Sequence, residues 1–550
     1  MLRFAAMRRP WRIAAALLFV ITTLAGALFG DRLLALSDNA RAGLRQYTEL
    51  VEAVHAHSGA EVSYKDVVYS SINGMLRKLD PHTSFLPPEA YARMRDRQQS
   101  SFFGLGILVG MRDDKLTVIS PLEGTPASRM GIRAGDIITT IEGESTADMP
   151  LDDAVMKLKG PKDTEVTITL ARRGVSTPLE LTIKRAEIPL TTVRYVMMIA
   201  PGTGYFRVTE FSRSTGKEVA DAIATLRGQG MQRLLLDLRN NGGGLLDQAI
   251  AVADQFVPEG STIVETKGRI RDSFHKYKAE GEHRPLDLPV VVLVNSGSAS
   301  ASEILAGAIQ DHDVGIIAGT PTWGKGLVQT VYGLPYDGAL ALTTASYYTP
   351  SGRLIQRDYS SVYDYYAHGD GVGEDGEESS TGPLELPRGD EPVFFTDLGR
   401  KVYGGGGITP DVLVHATEQP ELLQFLEARN AFFEFGVEYT NDHKVTDPSW
   451  TPSQEVLREF ERWVHAQGMA EDEADLDKGF QDADTRRDVL ARLRAEIFNA
   501  TLGNDVRYRV LAEGDHQIQQ ALGLFGKASD LLAMRKSGKG DTHVAAGTNR

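Results

Sequence analysis

The sequence predicts a multidomain α+β protein with a membrane segment at its N-terminus and a helical region at its C-terminus. The chain has 550 residues, which is enough for three to four domains, and 42% of them are hydrophobic, which allows large cores. Strand and helix patterns alternate through the middle of the chain, whereas the periodicity after His415 is helical. An uncharged stretch, Ile13–Gly30, lies near the N-terminus.

That stretch has the features of an export signal. It is just long enough to span a bilayer, and the arginines before it predict a cytoplasmic N-terminus. Ala25–Ala27 resembles a signal-peptidase site, so a cleaved signal and a retained anchor both stay open, with length favouring the anchor. We expect a cell-envelope protein whose periplasmic part is either anchored to the inner membrane or released. The arginines are Arg3, Arg8, Arg9 and Arg12.

The next region, Ala40–Arg97, has helical spacing of its apolar residues. It contains three histidines that are candidates for catalysis or metal binding. His82 is a candidate general base, but a turn residue that packs or caps a helix is the simpler interpretation. His55 and His57 are two positions apart and would point to different faces of a helix, so we predict no metal site and no cofactor. The chain has no cysteine, which excludes disulfides and thiolate catalysis.

A glycine-rich apolar segment, FFGLGILV at Phe102–Val109, is followed by SPLEGTPASRMGIRAGDIITTIEG. The two segments resemble a PDZ domain, in which such a loop captures a peptide carboxylate with backbone N–H groups and the next strand accepts the peptide as an extra strand. The resemblance implies protein substrates or partners with apolar C-terminal tails. The alternative is that the fold is only a spacer. The implied binding residues are Phe103, Gly104, Leu105, Gly106 and Ile107.

The central region contains two strand–turn–helix units with polar or glycine-rich turns. In the first, three glycines, Gly242 to Gly244, separate the strand from the helix; in the second, the turn is serine-rich. The predicted strands and helices are Leu234–Leu238, Leu245–Phe256, Val290–Val294 and Ser302–Gln310, with a further strand at Ala339–Tyr348.

The second unit and the segment after it suit nucleophilic catalysis without histidine. A serine hydroxyl is a weak nucleophile and needs a base, and a lysine serves when burial keeps its amine neutral. Lys325 lies between Gly324 and Gly326, next to the apolar side chains that would desolvate it, and Gln329 is placed to orient it. A surface turn without catalytic function is the alternative. Ser296, Ser298 and Ser302 are rival nucleophiles, and helix capping is the expected function of Ser302 or its neighbours.

Asn295–Glu303 reads NSGSASASE and Thr322–Gln329 reads TWGKGLVQ. Both resemble motifs of the C-terminal processing peptidases, a serine peptidase family with a Ser-Lys dyad assisted by glutamine. The resemblance implies that Ser300 is the nucleophile, Lys325 the base and Gln329 its partner. It also implies an oxyanion hole made by the backbone amides of Ala301 and Gly243, with Gly244 as the alternative to Gly243. The family usually has proline where this chain has Gly242, which makes the turn less rigid.

The segment 358–391 is an acidic insertion with ten acidic residues and one arginine, a balance of −9 within the total charge of −15. A solvated loop is its simplest interpretation. The chain has no basic patch of comparable charge, which argues against nucleic acid as a partner. After this insertion, Thr451, Pro452 and Gln454 predict a capping-box helix start, and Val456, Phe460, Trp463 and Val464 form an apolar stripe typical of a core.

The whole chain is therefore interpreted as an exported serine endopeptidase that recognises C-terminal tails. Two alternatives are a non-catalytic membrane-associated PDZ scaffold and a histidine-dependent hydrolase that uses the segment Asp311–Asp313. An adaptor protein and a homo-oligomer are further candidate partners of the C-terminal region. The predicted domains are a signal anchor or signal peptide at 1–35, a helical region at 36–98, a PDZ domain at 99–187, an α/β serine peptidase core at 188–415 and a helical C-terminal region at 416–550, whose last residues, Gly538–Arg550, we expect to be disordered.

Overall fold

The computed structural model describes residues 40–282, 285–359, 391–469 and 473–538. These residues belong to two compact units, one ending at Phe85 and the other beginning at Leu86. The predicted membrane segment, most of the acidic insertion and the last dozen residues lie outside the described ranges. Within those ranges, no helix is both long enough and apolar enough to cross a bilayer.

The first unit is helical, as its periodicity predicts. One helix covers residues 40–57 and a second covers Tyr64–Leu76, where the Ser63 hydroxyl accepts the Asp66 N–H as an N-cap. A tight turn follows, in which one carboxylate oxygen of Asp80 accepts the N–H groups of His82 and Thr83, both at 2.8 Å. His82 therefore lies in a turn organised by an aspartate. A short strand, Ser84–Leu86, follows and contains the boundary between the two units.

The second unit begins with a polar helix, Pro88–Gln99, and continues into an antiparallel sheet. The strand Ile107–Arg112 forms one edge of this sheet, because among the described residues it pairs only with Lys115–Pro121. Alternate residues of the other strands, such as Val118, Ile138 and Ile168, are fully buried in its core. The remaining strands are Ile137–Ile141, Glu144–Ser145, Glu165–Ala171 and Leu179–Lys184, and the helices are Pro126–Arg129 and Leu151–Leu158.

Two short strands, Ser101–Gly104 and Ala186–Pro189, pair with each other at the start and end of this region. They enclose it as a module and lead into a larger α/β sheet. That sheet has six strands, of which all but the first pair in parallel. Their order along the sheet is Val193–Ala200, Thr203–Val208, Arg233–Asp237, Val290–Val294, Ile316–Gly319 and Val412–Leu413.

Both faces of the α/β sheet are covered, which explains why its strands are uninterrupted apolar runs. Leu234 and Leu236 point to one face, where they pack in a core with three helices. Leu235, on the opposite face, packs with residues of the last helices of the chain, among them Ile518 and Phe525. The three helices of the first face are Thr215–Gly228, Leu246–Ala253 and Ala301–Asp311.

A second, antiparallel sheet lies beside the helix Ala301–Asp311. Its longest strand, Ala339–Tyr348, pairs with Leu327–Gly333 and, over its last residues, with Thr262–Gly268. The strand Thr262–Gly268 continues through a single 3₁₀ turn, Arg271–Ser273, to His275–Lys278. A separate hairpin joins the strands Val393–Phe395 and Lys401–Tyr403.

The C-terminal region is helical, as predicted, and its apolar stripe is buried: Phe460 and Val464 have no exposed surface. The helix that carries the stripe begins later than predicted. Ser453 is the N-cap residue and its hydroxyl accepts the Glu455 N–H, so Thr451 and Pro452 precede the helix. The helices are Glu421–Ala428, Ala431–Asp442, Gln454–Ala466, Glu473–Gln481, Ala483–Leu502, Asn504–Gly514, His516–Leu522 and Phe525–Ser537.

Candidate active site at two neighbouring turns

The two turns singled out in the sequence lie side by side. The strand Arg233–Asp237 leads into the glycine turn and its parallel neighbour Val290–Val294 leads into the serine turn. Because the carboxyl ends of parallel strands meet at one edge of a sheet, the two turns share that edge, where α/β proteins commonly bind ligands. The Ala299 N–H donates to the Asn241 carbonyl oxygen at 2.9 Å and joins them directly.

Ser300 occupies the sharp corner between strand and helix. Its φ and ψ are 55° and −111°, a conformation that costs a non-glycine residue free energy and persists only where the surroundings impose it. This corner is the N-cap of the helix Ala301–Asp311, and Ser300 is half-buried. Capping was expected of Ser302 or a neighbour; the N-cap is Ser300.

Two of the rival serines have structural partners. The Ser298 hydroxyl donates to the Leu238 carbonyl oxygen at 2.8 Å and accepts the Asn295 N–H. The Ser302 hydroxyl donates to the Asn241 carbonyl oxygen at 2.8 Å. Both side chains are fully buried, so each helps to hold the serine turn against the glycine turn. Ser296 is half-buried in the same turn.

The base loop, Thr322–Gly326, runs beside the serine turn. The Lys325 ammonium group donates to Oε1 of Gln329 at 3.0 Å, as the motif implies, and both side chains are half-buried. The Gly324 φ of 89° is one that glycine adopts readily, and a Cβ there would lie 2.9 Å from that of Arg357. The Gly326 N–H donates to Oε1 of Gln356 at 2.8 Å, which fixes the loop on its other side.

Glu303 joins the serine turn to the base loop. Its carboxylate has no exposed surface and accepts four hydrogen bonds. One oxygen accepts the N–H groups of Ser300 at 2.7 Å and Lys325 at 3.0 Å. The other accepts the Gly324 N–H at 2.8 Å and the Thr322 hydroxyl at 2.6 Å. Burial raises the pKa of Glu303 to about 7, against the opposing effect of these donors.

The glycine turn touches the serine corner so closely that only glycine fits. A Cβ on Gly243, whose φ is 101°, would lie 2.8 Å from the Ser300 Cβ and 2.9 Å from the Ala301 nitrogen. Gly244 is equally restricted, because a Cβ there would lie 2.1 Å from the Phe211 carbonyl oxygen. By contrast, a Cβ on Gly242 would meet open space, so a side chain is sterically acceptable where the family has proline.

The two expected oxyanion donors differ in their present partners. Within the described ranges, the Ala301 N–H has no hydrogen-bond acceptor, so it is available to a ligand. The Gly243 N–H donates to Oδ1 of Asn241 at 2.9 Å. Asn241 is fully buried and its amide donates to the Val208 carbonyl oxygen. The turn is thus held by its own asparagine in this structure.

The C-terminal helices reach the residues just before the glycine turn. Arg239 is almost fully buried and forms ion pairs with Asp237 at 2.7 Å and with Asp515 at 2.9 Å. It also donates to Gln517 at 2.7 Å. Neither these contacts nor the roles of Glu303 and Asn241 were predicted from the sequence. Glu303 lies within the quoted serine motif and Asn241 directly precedes the three glycines, so a polar side chain among small residues was the available signal in both places.

Part of the PDZ-like loop has backbone N–H groups that are open to a ligand. Within the described residues, the N–H groups of Leu105 and Gly106 have no acceptor, and Leu105 is buried in the module's core. Gly106 has a φ of 78° and packs against Thr125, where a Cβ would come within 2.3 Å. The adjoining edge strand, Ile107–Arg112, has its second edge unpaired within its sheet.

The histidine alternative is not at this site. His312 follows the last residue of the helix that begins next to Ser300, about 16 Å along the helix at 1.5 Å per residue. Its ring nitrogens contact the Asp397 carboxylate and the Thr262 carbonyl oxygen, both at 2.7 Å. Among the residues that the structure describes, no group of three or more acidic or histidine side chains could hold a metal ion.

Comparison with known proteins gives two family matches. A profile for peptidase family S41 matches residues 202–361 and a PDZ domain profile matches residues 117–172. A carboxy-terminal-processing protease from Bartonella bacilliformis is 40% identical over 317 residues, which cover 57% of this chain and 72% of that protein. A carboxyl-terminal-processing protease from Synechocystis sp. is 39% identical over 299 residues, 53% of this chain and 69% of that protein. Among solved structures, the photosystem II D1 C-terminal processing protease is 29% identical to this chain. The match covers 67% of this chain and 92% of the chain of that protease, with a TM-score of 0.33.

Proposed function

The chain belongs to the carboxy-terminal-processing proteases of peptidase family S41, and from this premise we propose that Ser300 is its nucleophile and Lys325 its general base. It is a serine endopeptidase that acts on protein substrates. The observation that carries the residue assignment is the Glu303 carboxylate, which accepts the backbone N–H groups of both residues and so brings the serine turn and the base loop together.

The proposed reaction is acyl transfer in two steps. Neutral Lys325 takes the Ser300 proton while the serine oxygen attacks the scissile carbonyl carbon, whose oxygen becomes an oxyanion. Lys325 then gives the proton to the leaving amine, the C–N bond breaks, and an ester to Ser300 remains. Water, deprotonated by Lys325, hydrolyses the ester and regenerates the serine. Gln329 accepts a hydrogen bond from the lysine ammonium group and orients it.

Ala301 and Gly243 are the proposed oxyanion donors. The Ala301 N–H is available, and a preorganised backbone donor of this kind contributes much of the rate enhancement in acyl transfer. The Gly243 N–H is bonded to Asn241, so its participation requires the turn to exchange that acceptor for the substrate oxyanion. Gly244 follows as the alternative donor.

The PDZ domain is proposed to select substrates by their C-terminal tails. The free N–H groups of Leu105 and Gly106 support carboxylate capture, and the open edge of Ile107–Arg112 supports addition of the tail as a strand. Phe103 and Gly104 precede this loop, at the end of the strand Ser101–Gly104, where they pair with Glu187 and Ala186. The apolar core that adjoins the strand favours apolar tails.

The arginines and apolar stretch at the N-terminus support export, so we propose that the enzyme acts in the cell envelope, on the periplasmic side of the inner membrane. The segment either anchors the enzyme or is removed as a signal. The helical C-terminal region is proposed as the surface for an adaptor protein or a second copy. A silent scaffold is not favoured, because the chain keeps the residues of both motifs.

Cleavage of an unstructured protein with an apolar C-terminus tests this function. The experiment compares the wild-type enzyme with Ser300→Ala, Lys325→Ala and the same-turn control Ser296→Ala, on that substrate and on a version whose last three residues are aspartate. We expect cleavage by wild type and Ser296→Ala, at least about a 10³-fold loss in the other two variants, and poor cleavage of the acidic tail. A wild-type protein that binds the tail peptide but never cuts would contradict the proposal.

A further inference from the structure

The phenol of Tyr347 lies between the two halves of the proposed dyad. Its hydroxyl contacts the Ser300 carbonyl oxygen at 3.0 Å and also contacts the Lys325 carbonyl oxygen. A phenolic hydroxyl has one proton, so the two carbonyls share a single donor. Tyr347 is 1% exposed, and none of the sequence motifs included it.

The position of Tyr347 does not depend on that hydroxyl. The residue belongs to the strand Ala339–Tyr348, pairs with Thr266 of the neighbouring strand, and its N–H donates to the Gly326 carbonyl oxygen at 2.9 Å. Its ring packs in the main core of the α/β region. Removing the oxygen atom alone should therefore leave the ring, the strand and the base loop in place.

The Ser300 carbonyl belongs to the same peptide group as the Ala301 N–H. A trans peptide is planar, with its C=O and N–H pointing in opposite directions, so a group that holds the carbonyl also fixes the direction of the N–H. The N–H groups of Glu303 and Ile304 hold this carbonyl from the helix side, at 2.9 and 3.0 Å. The Tyr347 hydroxyl holds it from the side of the base loop. Hydrogen bonds to a peptide carbonyl also strengthen its N–H as a donor.

We propose that Tyr347 is a positioning residue: its hydroxyl sets the direction of the Ala301 N–H that receives the oxyanion and ties that peptide to the Lys325 loop. This inference rests on the proposed function. It assigns Tyr347 no contact with substrate. Its effect should appear in the stabilisation of the transition state and not in tail binding, because the PDZ loop belongs to a separate core.

The test compares Tyr347→Phe with Tyr348→Phe, the adjacent tyrosine of the same strand, whose ring lies under the Lys267 ammonium group. The full-length enzyme cleaves the apolar-tailed substrate, and a peptide boronate that fills the oxyanion site serves as inhibitor. Loss of a direct oxyanion donor costs about 10²–10³-fold, so an indirect effect should lower kcat about 10–100-fold. We expect KM within about twofold of wild type, boronate affinity reduced in parallel with kcat, and no change in Tyr348→Phe.

The thermal unfolding midpoint of each variant is measured first. All assays are then run well below the midpoint of the less stable variant, so that a loss of folded protein does not lower the measured activity. Equal kcat in the two variants would overturn the inference, as would a fall in kcat with unchanged boronate affinity. Ser300→Ala is assayed beside them. If Ser300→Ala still cleaves, the function assignment fails; if it is inactive while Tyr347→Phe matches Tyr348→Phe, only the role of Tyr347 fails.

Discussion

Glu303→Ala is expected to disable the site by separating the nucleophile from its base. The substitution removes the acceptor of three buried or part-buried backbone N–H groups, those of Ser300, Gly324 and Lys325, and of the Thr322 hydroxyl. The hydroxyl can rotate to another acceptor, but the three N–H groups cannot.

A buried donor without an acceptor costs about 1–3 kcal/mol. Three donors at the lower limit, which applies if water enters the space left by the side chain, give about 3 kcal/mol of lost stability. The rate should fall as well as the stability, because a misplacement of about 1 Å between reacting groups can cost about 10²-fold in rate. We therefore expect at least about a 100-fold fall in kcat. Glu303→Gln, which keeps the volume and one acceptor oxygen, should lie between wild type and Glu303→Ala.

Urea unfolding measures the free energy of unfolding, and cleavage of the apolar-tailed substrate measures kcat. Glu418→Gln is the control, because Glu418 is an exposed carboxylate outside the site. Affinity of the PDZ domain for a tail peptide should be unchanged in all three variants. Wild-type kcat and stability in Glu303→Ala would refute the claim that this carboxylate holds the two loops together.

Three further predictions rest on the same geometry. The pKa of Glu303 is raised to about 7, so kcat should fall as the pH drops through about 7, because the protonated carboxyl group loses one acceptor for the donors around it. A kcat that stays constant from about pH 8 to 5 would contradict this prediction. The effect of pH on stability has the opposite sign. The pKa of Glu303 in the folded state lies above the reference value of 4.5, so between these two pKa values the folded state binds one more proton than the unfolded state. The contribution of Glu303 to the free energy of unfolding therefore falls as the pH rises from 4.5 to about 7. Glu303→Gln should remove that slope in urea unfolding. Gly243→Ala should lower kcat at least about tenfold with a normal KM, since its Cβ would lie 2.8 Å from that of Ser300; wild-type kcat in this variant would show that the turns are not in contact.

Patterns that depend on neighbouring residues were predicted well. The strand Ala339–Tyr348 has the predicted bounds, and the predicted helix Ser302–Gln310 is one residue longer at each end. The helix predicted to reach Phe256 ends at Ala253 instead. Its C-cap residue, Asp254, accepts the N–H groups of Glu280 and Gly281 from a distant loop, which periodicity does not reveal.

Contacts between distant parts of the chain could not be predicted in this way. The helical periodicity after His415 predicts that this region is helical, but it does not predict which face of the α/β sheet the helices cover. The Tyr508 hydroxyl nevertheless lies 2.7 Å from that of Tyr205, on a strand some 300 positions earlier. The same holds for the site. Motifs indicated Ser300, Lys325 and Gln329, whereas the roles of Asn241 and Tyr347 at the site follow only from the fold.

The most direct test of the account is to trap the acyl-enzyme. Wild-type enzyme is mixed with an excess of an apolar-tailed peptide ester, quenched in acid within milliseconds, digested and analysed by mass spectrometry. We expect the acyl group to be attached to Ser300, and Lys325→Ala to form the same adduct far more slowly. Attachment to Ser296, Ser298 or Ser302 would contradict the assignment of the nucleophile, and product formation by wild type without any adduct would contradict the proposed covalent mechanism.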